Sequence, residues 1–339
     1  MIYDCFSFYN ELDILEIRLA TLDEIVDKFV LVEADWTHTG KPKPLFFAEN
    51  RTRFTPFLDK IIHIVVTDKD IPSFPATATD RQKAWIRENC QRNAIANGLT
   101  NAHPQDIILI SDLDEIPNPN IVLQAVQRAD GIANLNLKNY AFFLNNLNVS
   151  YPNWTGGPQL LTLQTFLDPR TYRGFQYSDY APRCANPIPS ATMVRFAPKR
   201  HTIRNAGWHL TSMGGLETLK AKIAAFAHTE FADKLPSDEE LETRLRHGKG
   251  LFGFGDAFMP EPLSVSLPAS IRENKQRYAP LLLSADDNTW RRTRFLRIGL
   301  RFRKVLHDRF IGIMLSIVPR ALHPFFAKVR RQINLVRHG

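Results

Sequence analysis

Three carboxylates follow one apolar run: Ile107-Ile108-Leu109-Ile110-Ser111-Asp112-Leu113-Asp114-Glu115-Ile116-Pro117. Acids this close repel one another. An oxygen-preferring divalent cation such as Mn²⁺ or Mg²⁺ relieves the repulsion and leaves positions for phosphate oxygens. A cation held there neutralises the charge that develops on a departing diphosphate. An Asp-x-Asp spacing alone equally fits a solvated acidic turn, so the elements around it carry the decision. An EF-hand loop is excluded, because the glycine of its sharp turn and the closing glutamate in register are both missing.

The elements before the motif read as alternating strand and helix, the pattern of a mostly parallel α/β sheet. Apolar, β-branched runs predict strands over Ile2 to Phe8, Lys28 to Glu33, Lys60 to Thr67 and Asp106 to Ser111. Helices are expected over Glu11 to Leu22 and over Asp80 to Leu99, the second capped by Thr79 or Asp80 and ending near Gly98. In open α/β sheets ligands bind outside the carboxyl ends of the strands, so Asp112, Asp114 and Glu115 should project into such a crevice. Past the motif, two strands are expected within Asn134 to Val149, one over Gln159 to Phe166 and one over His201 to His209. Gly215 to His228 reads as a helix, and 150–158 and 180–190 as loops suited to acceptor contacts.

Composition excludes several classes. The 339 residues are 44% apolar, enough for a substantial core. Cys5, Cys90 and Cys184 are too far apart for a cysteine zinc site or a disulfide framework, which fits a reducing cytoplasm. No signal peptide and no apolar run of membrane-spanning length is apparent, so a cytosolic chain is expected. The net charge of +8 is concentrated at the end, where residues 291–339 hold 13 Lys/Arg against the single acid Asp308. The remaining body is mildly acidic, which argues against nucleic acid as a partner and for an anionic membrane surface met by the tail. Residues 295 to 318 have apolar positions at helical spacing interleaved with Arg297, Arg301, Arg303, Lys304 and Arg309. That pattern is a basic amphipathic helix, lying either on a membrane or packed on the body with a solvated basic face. The expected division is a catalytic domain over 1–285 and a basic tail over 286–339.

Several blocks together resemble glycosyltransferase family seventeen, the β-1,4-mannosyl-glycoprotein 4-β-N-acetylglucosaminyltransferase family. They are Asp4-Cys5-Phe6-Ser7-Phe8-Tyr9-Asn10-Glu11-Leu12-Asp13-Ile14-Leu15-Glu16-Ile17-Arg18-Leu19, Val26 to Val30 with Val32-Glu33, Gly40 to Leu45, Ser111 to Pro117, and Gly207-Trp208-His209. The resemblance implies a glycosyltransferase-A-like (Rossmann-like) mixed sheet flanked by helices and a UDP-sugar donor, UDP-N-acetylglucosamine. It also implies transfer with inversion, in which a base deprotonates the acceptor hydroxyl while a metal stabilises the leaving UDP. Asp112 and Asp114 carry over as the family's D-x-D, with Glu115 beside them to contact the donor or orient the metal shell. His209, after Trp208, is the candidate third metal ligand, although a lone histidine is more often structural. Family members from eukaryotes are anchored in the Golgi and act on glycoproteins. This sequence has no anchor signal, which favours a polysaccharide or lipopolysaccharide acceptor and peripheral association with the inner membrane face.

Asn10, Glu11 and Glu33 lie just past the first two predicted strands and are candidates for uridine or ribose, although Glu11 equally opens the following helix. Arg81, Arg87 and Arg92 share a helix with Glu88 and form either a solvated, internally paired face or a phosphate clamp through Arg92. Glu217 and, behind it, Asp256 are the candidate general bases. Two rival classes remain. A haloacid-dehalogenase-type phosphotransferase or phosphatase also uses D-x-D, but there the motif opens the domain and runs into Gly-Thr. The other rival is a non-catalytic, membrane-associated glycan-binding homologue.

Overall fold

The computed structural model describes residues 1–128, 130–172, 190–227, 235–246, 248–251, 256–263 and 267–283. The expected tail, Cys184 and most of the predicted 180–190 loop lie outside the described residues.

In chain order the main elements are β1 (Ile2–Phe8), α1 (Leu12–Leu22), β2 (Lys28–Ala34), α2 (Phe46–Glu49), β3 (Ile61–Val66), α3 (Asp80–Asn93), β4 (Ile107–Asp112) and β5 (Glu115–Pro117). There follow α4 (Pro119–Val126), β6 (Ala133–Leu135), β7 (Leu137–Ala141), β8 (Asn146–Asn148), β9 (Asn153–Trp154), β10 (Gln159–Thr162) and α5 (Leu163–Leu167). The last group is α6 (Ala191–Phe196), β11 (His201–Ile203), β12 (Gly207–Thr211), α7 (Gly215–Ala225), α8 (Asp238–Arg246), β13 (Phe258–Pro260) and α9 (Ala269–Glu273).

The first sheet runs β11-β6-β10-β4-β1-β2-β3, with β1 to β4 parallel and β10 antiparallel to both neighbours. The architecture is the expected mixed α/β sheet flanked by helices. Strands β1, β2 and β4 are almost continuously buried, as strands covered on both faces must be. On one face α1 buries Leu15, Ile17, Leu19 and Leu22 against Phe6, Phe29 and Leu31. It is covered in turn by α9, which accounts for a helix apolar nearly all round. On the other face Ala94, Ile95 and Leu99, together with Met193 and Val194 of α6, pack over Cys5, Val30, Val32, Ile108 and Ile110. Thr79 and Gln82 close the expected N-terminus of α3 as a capping box.

The chain leaves β1 towards β2 on one side and returns through β4 on the other, so the sheet order reverses between β1 and β4. A ligand crevice is expected at that switch point, outside the carboxyl ends of the two strands. Immediately after β4 the chain turns into β5, the edge of a second sheet ordered β13-β8-β7-β12-β5 with β9 on β7.

That second sheet accounts for the differences from the sequence reading. Asn134 to Val149 holds three strands rather than two, because the chain crosses between sheets at Asn136. His201 to His209 is two strands rather than one. Asn205 at φ 53° and Gly207 at φ 147° turn the chain from β11 in the first sheet to β12 in the second. Only Gln159 to Thr162 of the run to Phe166 is strand, since the Thr162 side chain caps the Thr165 N–H and starts α5. The Asp80 to Leu99 helix is α-helical to Asn93 and 3₁₀ from Ala94. Among the described residues no helix is long and apolar enough to cross a membrane.

Candidate active site

Asp112 ends β4 opposite Ser7 of β1, at the switch point. Both of its oxygens are held: Arg92 Nη1 donates to Oδ1 at 2.6 Å and Arg195 Nη1 to Oδ2 at 2.6 Å. Arg92 is steadied one turn back by Glu88 at 2.9 Å, and Arg195 Nη2 donates to Glu115 Oε1 at 2.9 Å. Burial opposes charge on Asp112, yet Arg195 and Arg92 outweigh it and hold the carboxyl well below its ordinary range. Glu115 is pushed the other way by burial, although three donors hold its anion: Arg195, the Asp112 N–H at 3.0 Å and Trp154 Nε1 at 2.7 Å.

Asp114 meets a different cation. Lys222 of α7 sits between Asp114 Oδ2 and Glu11 Oε1, 3.0 Å from each. Burial disfavours the Asp114 charge, but Lys222 and then His209 hold its pKa below the usual value. Glu11 stands at the N-terminus of α1 with no capping bond from its side chain, which turns to Lys222 instead.

The tautomer of His209 follows from pairing in the second sheet. His209 of β12 lies opposite Glu115 of β5 on one side and Asn139 of β7 on the other. Asn139 Nδ2 donates to the Tyr151 carbonyl, so its Oδ1 faces His209 Nδ1 at 3.0 Å and must accept. The proton therefore sits on Nδ1, and Nε2 presents a lone pair towards Asp114 Oδ1, 3.8 Å away. Burial pulls the His209 pKa down to about 4, against the Asp114 charge, so the ring is neutral near pH 7. Trp154 stacks on the imidazole with ring centroids 4.2 Å apart.

An imidazole lone pair and a carboxylate oxygen facing one another repel unless a cation lies between them. A histidine that donates its other N–H to a side-chain oxygen is the usual support of a metal ligand. On that chemistry Asp114 and His209 fit a divalent cation, with Asp112 as a further oxygen donor once an arginine gives way. In the geometry described, no cluster of three or more His, Cys, Asp or Glu closes round a metal among the described residues. Lys222, Arg92 and Arg195 supply the positive charge instead.

Of the residues singled out from the sequence, Glu11, Arg92, Asp112, Asp114, Glu115 and His209 come together. Asn10 lies in the adjoining turn, where its carbonyl accepts the Leu12 N–H at 2.9 Å. Glu33 is fully enclosed rather than facing the crevice: it accepts the Phe47 N–H at 2.9 Å and pairs with His63 at 3.1 Å, tying α2 and β3 to β2. Arg87 donates to the His38 carbonyl at 3.3 Å and lies over Phe74, while Arg81 sits in the first turn of α3. Glu217 lies outside the cluster, 86% exposed and paired with Lys220. Lys222 is five positions further on, which places the two about 140° apart around the helix. Asp256 precedes β13, at the opposite edge of the second sheet from β5. At the usual strand spacing that edge is about 19 Å away.

Sequence reasoning missed Arg195, Lys222, Trp154 and Asn139. Lys222 carried a signal, since it lies beside Leu219 and Ile223 on the buried side of α7. Arg195 carried none, because its partners are more than 75 residues earlier in the chain.

Comparison with known proteins agrees with the motif. The model of glycosyltransferase family 17 matches residues 1–180, which include Glu11, Arg92, Asp112, Asp114 and Glu115. The β-1,4-mannosyl-glycoprotein 4-β-N-acetylglucosaminyltransferase of Rattus norvegicus is 30% identical over 128 residues, 36% of this chain and 22% of that protein. The protein of the same name from Homo sapiens is 32% identical over 120 residues, 34% of this chain and 21% of its own length. The chain thus spans about a fifth of the length of these curated relatives. Among solved structures, M. tuberculosis glucosyl-3-phosphoglycerate synthase is similar with a TM-score of 0.30 and 14% identity, covering 80% of this chain and 91% of that one. The same enzyme in complex with Mn²⁺, uridine diphosphate and phosphoglyceric acid gives a TM-score of 0.31 at 13% identity, covering 80% and 90%. With the family model matching more than half of the sequence and taking in the whole carboxylate motif, the chain belongs to glycosyltransferase family 17.

Proposed function

We propose that the chain is an inverting, metal-dependent glycosyltransferase that moves N-acetylglucosamine from UDP-N-acetylglucosamine to a polysaccharide, lipopolysaccharide or other glycan acceptor. The observation that carries this reading is the placement of Asp112 and Asp114 at the β1/β4 switch point, with a neutral His209 whose lone pair faces Asp114. Asp114 and His209, joined by Asp112, would hold Mn²⁺ or Mg²⁺. That ion would stabilise charge on the departing UDP. Arg92 and Arg195, which hold Asp112, would take donor phosphate oxygens in its place, since a guanidinium fork suits either anion. Glu11, at the N-terminus of α1, would meet the nucleoside side of the donor. The acceptor and the membrane role of residues 291–339 belong to the same proposal, supported by the chain's sequence.

A second reading is favoured by one observation. Lys222 already bridges Asp114 and Glu11, so the three basic residues can neutralise a diphosphate without a metal. Release of UDP from UDP-N-acetylglucosamine, with Mn²⁺ or with EDTA, separates the two. Metal dependence requires EDTA to abolish release. Replacing Asp112 or Asp114 with Asn should then lower turnover by about two to four orders of magnitude, since leaving-group stabilisation is worth several kcal/mol and about 1.4 kcal/mol is tenfold. Undiminished release by Asp114→Asn, or no shift in wild-type melting with Mn²⁺ and UDP, would defeat the metal reading. Release that survives EDTA but fails in Lys222→Met would establish the second.

A further inference from the structure

The D-x-D loop is held from behind by a single buried side chain. Arg18, on α1, has no exposed surface. Its Nε and Nη2 grip Asp4 of β1 as a fork, at 2.8 and 2.6 Å, and Nη2 also donates to Ser111 Oγ at 2.6 Å. The remaining nitrogen, Nη1, faces three carbonyls of the motif: Asp112 at 2.9 Å, Leu113 at 3.0 Å and Glu115 at 3.1 Å. The guanidinium carbon, Cζ, lies over the Phe6 ring, 4.5 Å from its centroid. All its donor nitrogens are therefore engaged, and three of their six acceptors are backbone atoms of the segment that carries the candidate metal ligands.

This arrangement does more than neutralise Asp4. Between β4 and β5 the chain leaves one sheet for another, and the carbonyls of Asp112, Leu113 and Glu115 turn to Arg18 there. Buried carbonyls need donors. Arg18 supplies them from one rigid, planar group whose orientation is fixed by the Asp4 fork. With the carbonyls of residues 112, 113 and 115 drawn to one point, the course of the loop is set, and with it the positions from which Asp112 and Asp114 leave the backbone. We infer that Arg18, oriented by Asp4, is a positioning residue that sets the D-x-D loop for cation and donor binding. The inference rests on the glycosyltransferase reading for its functional consequence but not for its structural one.

Arg18→Lys in the full chain tests it. Lysine keeps the charge but not the fork, so it cannot hold Asp4 and three carbonyls at once. Hydrogen exchange read by mass spectrometry should show faster exchange in peptides covering residues 111–117 with β2 unchanged. Titration of Mn²⁺ in the presence of UDP should show affinity weakened on the order of tenfold to a hundredfold, the usual effect of losing a residue that orients metal ligands. In UDP release kcat should fall more than KM rises. A variant that melts earlier but keeps wild-type loop exchange and wild-type cation affinity would overturn the inference, as would exchange that rises uniformly across the protein. If the lysine variant does not fold, Ser111→Ala removes one acceptor of the same guanidinium and is read in the same two ways. Should wild type bind no Mn²⁺ with UDP, the metal reading and the functional half of the inference fall together. The exchange comparison then decides alone whether Arg18 sets the loop.

Discussion

His209 is a case in which burial and one amide fix the chemistry of a ring. Its pKa of about 4 lies below the ordinary 6.5, so between those values an unfolded chain takes up a proton that the folded one refuses. The contribution to stability is complete above about pH 6.5 and is lost as the pH falls towards 4. Melting temperatures followed from about pH 7 to about pH 4.5 should therefore drop less steeply for His209→Gln than for wild type, and parallel curves would refute the assignment of a neutral ring. At this scale the sequence made the acids legible. An apolar run ending in Asp112, Leu113 and Asp114 is a local pattern, and so is Gly-Trp-His. Of the basic partners Arg92 was legible on its helix and Lys222 left a signal beside Leu219 and Ile223, but Arg195 left none, because it reaches the motif only through the tertiary path of α6. Glu33 misled for a related reason. It ends a strand at the right edge of the sheet, but its burial beneath Phe47 and beside His63 is decided by residues far along the chain.

The elements up to β4 could be read almost residue by residue, since a buried parallel strand or a capped helix is written in consecutive positions. Beyond β5 legibility fell, because the breaks within Asn134 to Val149 and His201 to His209 mark crossings between two sheets and hydropathy does not record a crossing. Gly207 is the position where such a crossing becomes a strict requirement. At φ 147°, a Cβ there would stand 2.2 Å from the Ile116 carbonyl oxygen and 2.7 Å from Pro117 Cα, so the pairing of β12 with β5 leaves no room for alanine. Gly207→Ala should cost more than about 2 kcal/mol, from strain and overpacking together. It should also weaken Mn²⁺ binding, because β12 carries His209. Gly215, at φ 83° with nothing within 4 Å of the same Cβ, is the control. There alanine meets only the intrinsic left-handed penalty of about 1–2 kcal/mol and should leave the site intact. Urea titrations of both variants measure the difference, and equal losses would mean that contact with β5 is not what requires the glycine.

Across the whole molecule, charge is divided between an acidic body and a basic end. Residues 291–339 contribute 13 Lys/Arg and one acid, and their apolar positions recur at helical spacing alongside those cations. A surface that attracts basic side chains and also accepts apolar ones is an anionic bilayer. Each Lys or Arg held near it contributes about 1 kcal/mol, falling off within a Debye length, while inserted apolar side chains add a term that salt does not screen. A tail that binds in this way would bring the switch-point crevice to a lipid-linked saccharide at the membrane face, which is the membrane association we propose. The two terms separate by experiment. The full chain should sediment with vesicles of phosphatidylglycerol and phosphatidylcholine at low salt, lose part of that binding at high salt, and bind pure phosphatidylcholine poorly. Truncation after residue 290 should abolish sedimentation while leaving UDP release from a soluble donor unchanged, because the candidate site is built from residues 11 to 222. If full and truncated chains sediment equally, or if truncation removes activity in solution as well, the tail is part of the folded body rather than its attachment to a membrane.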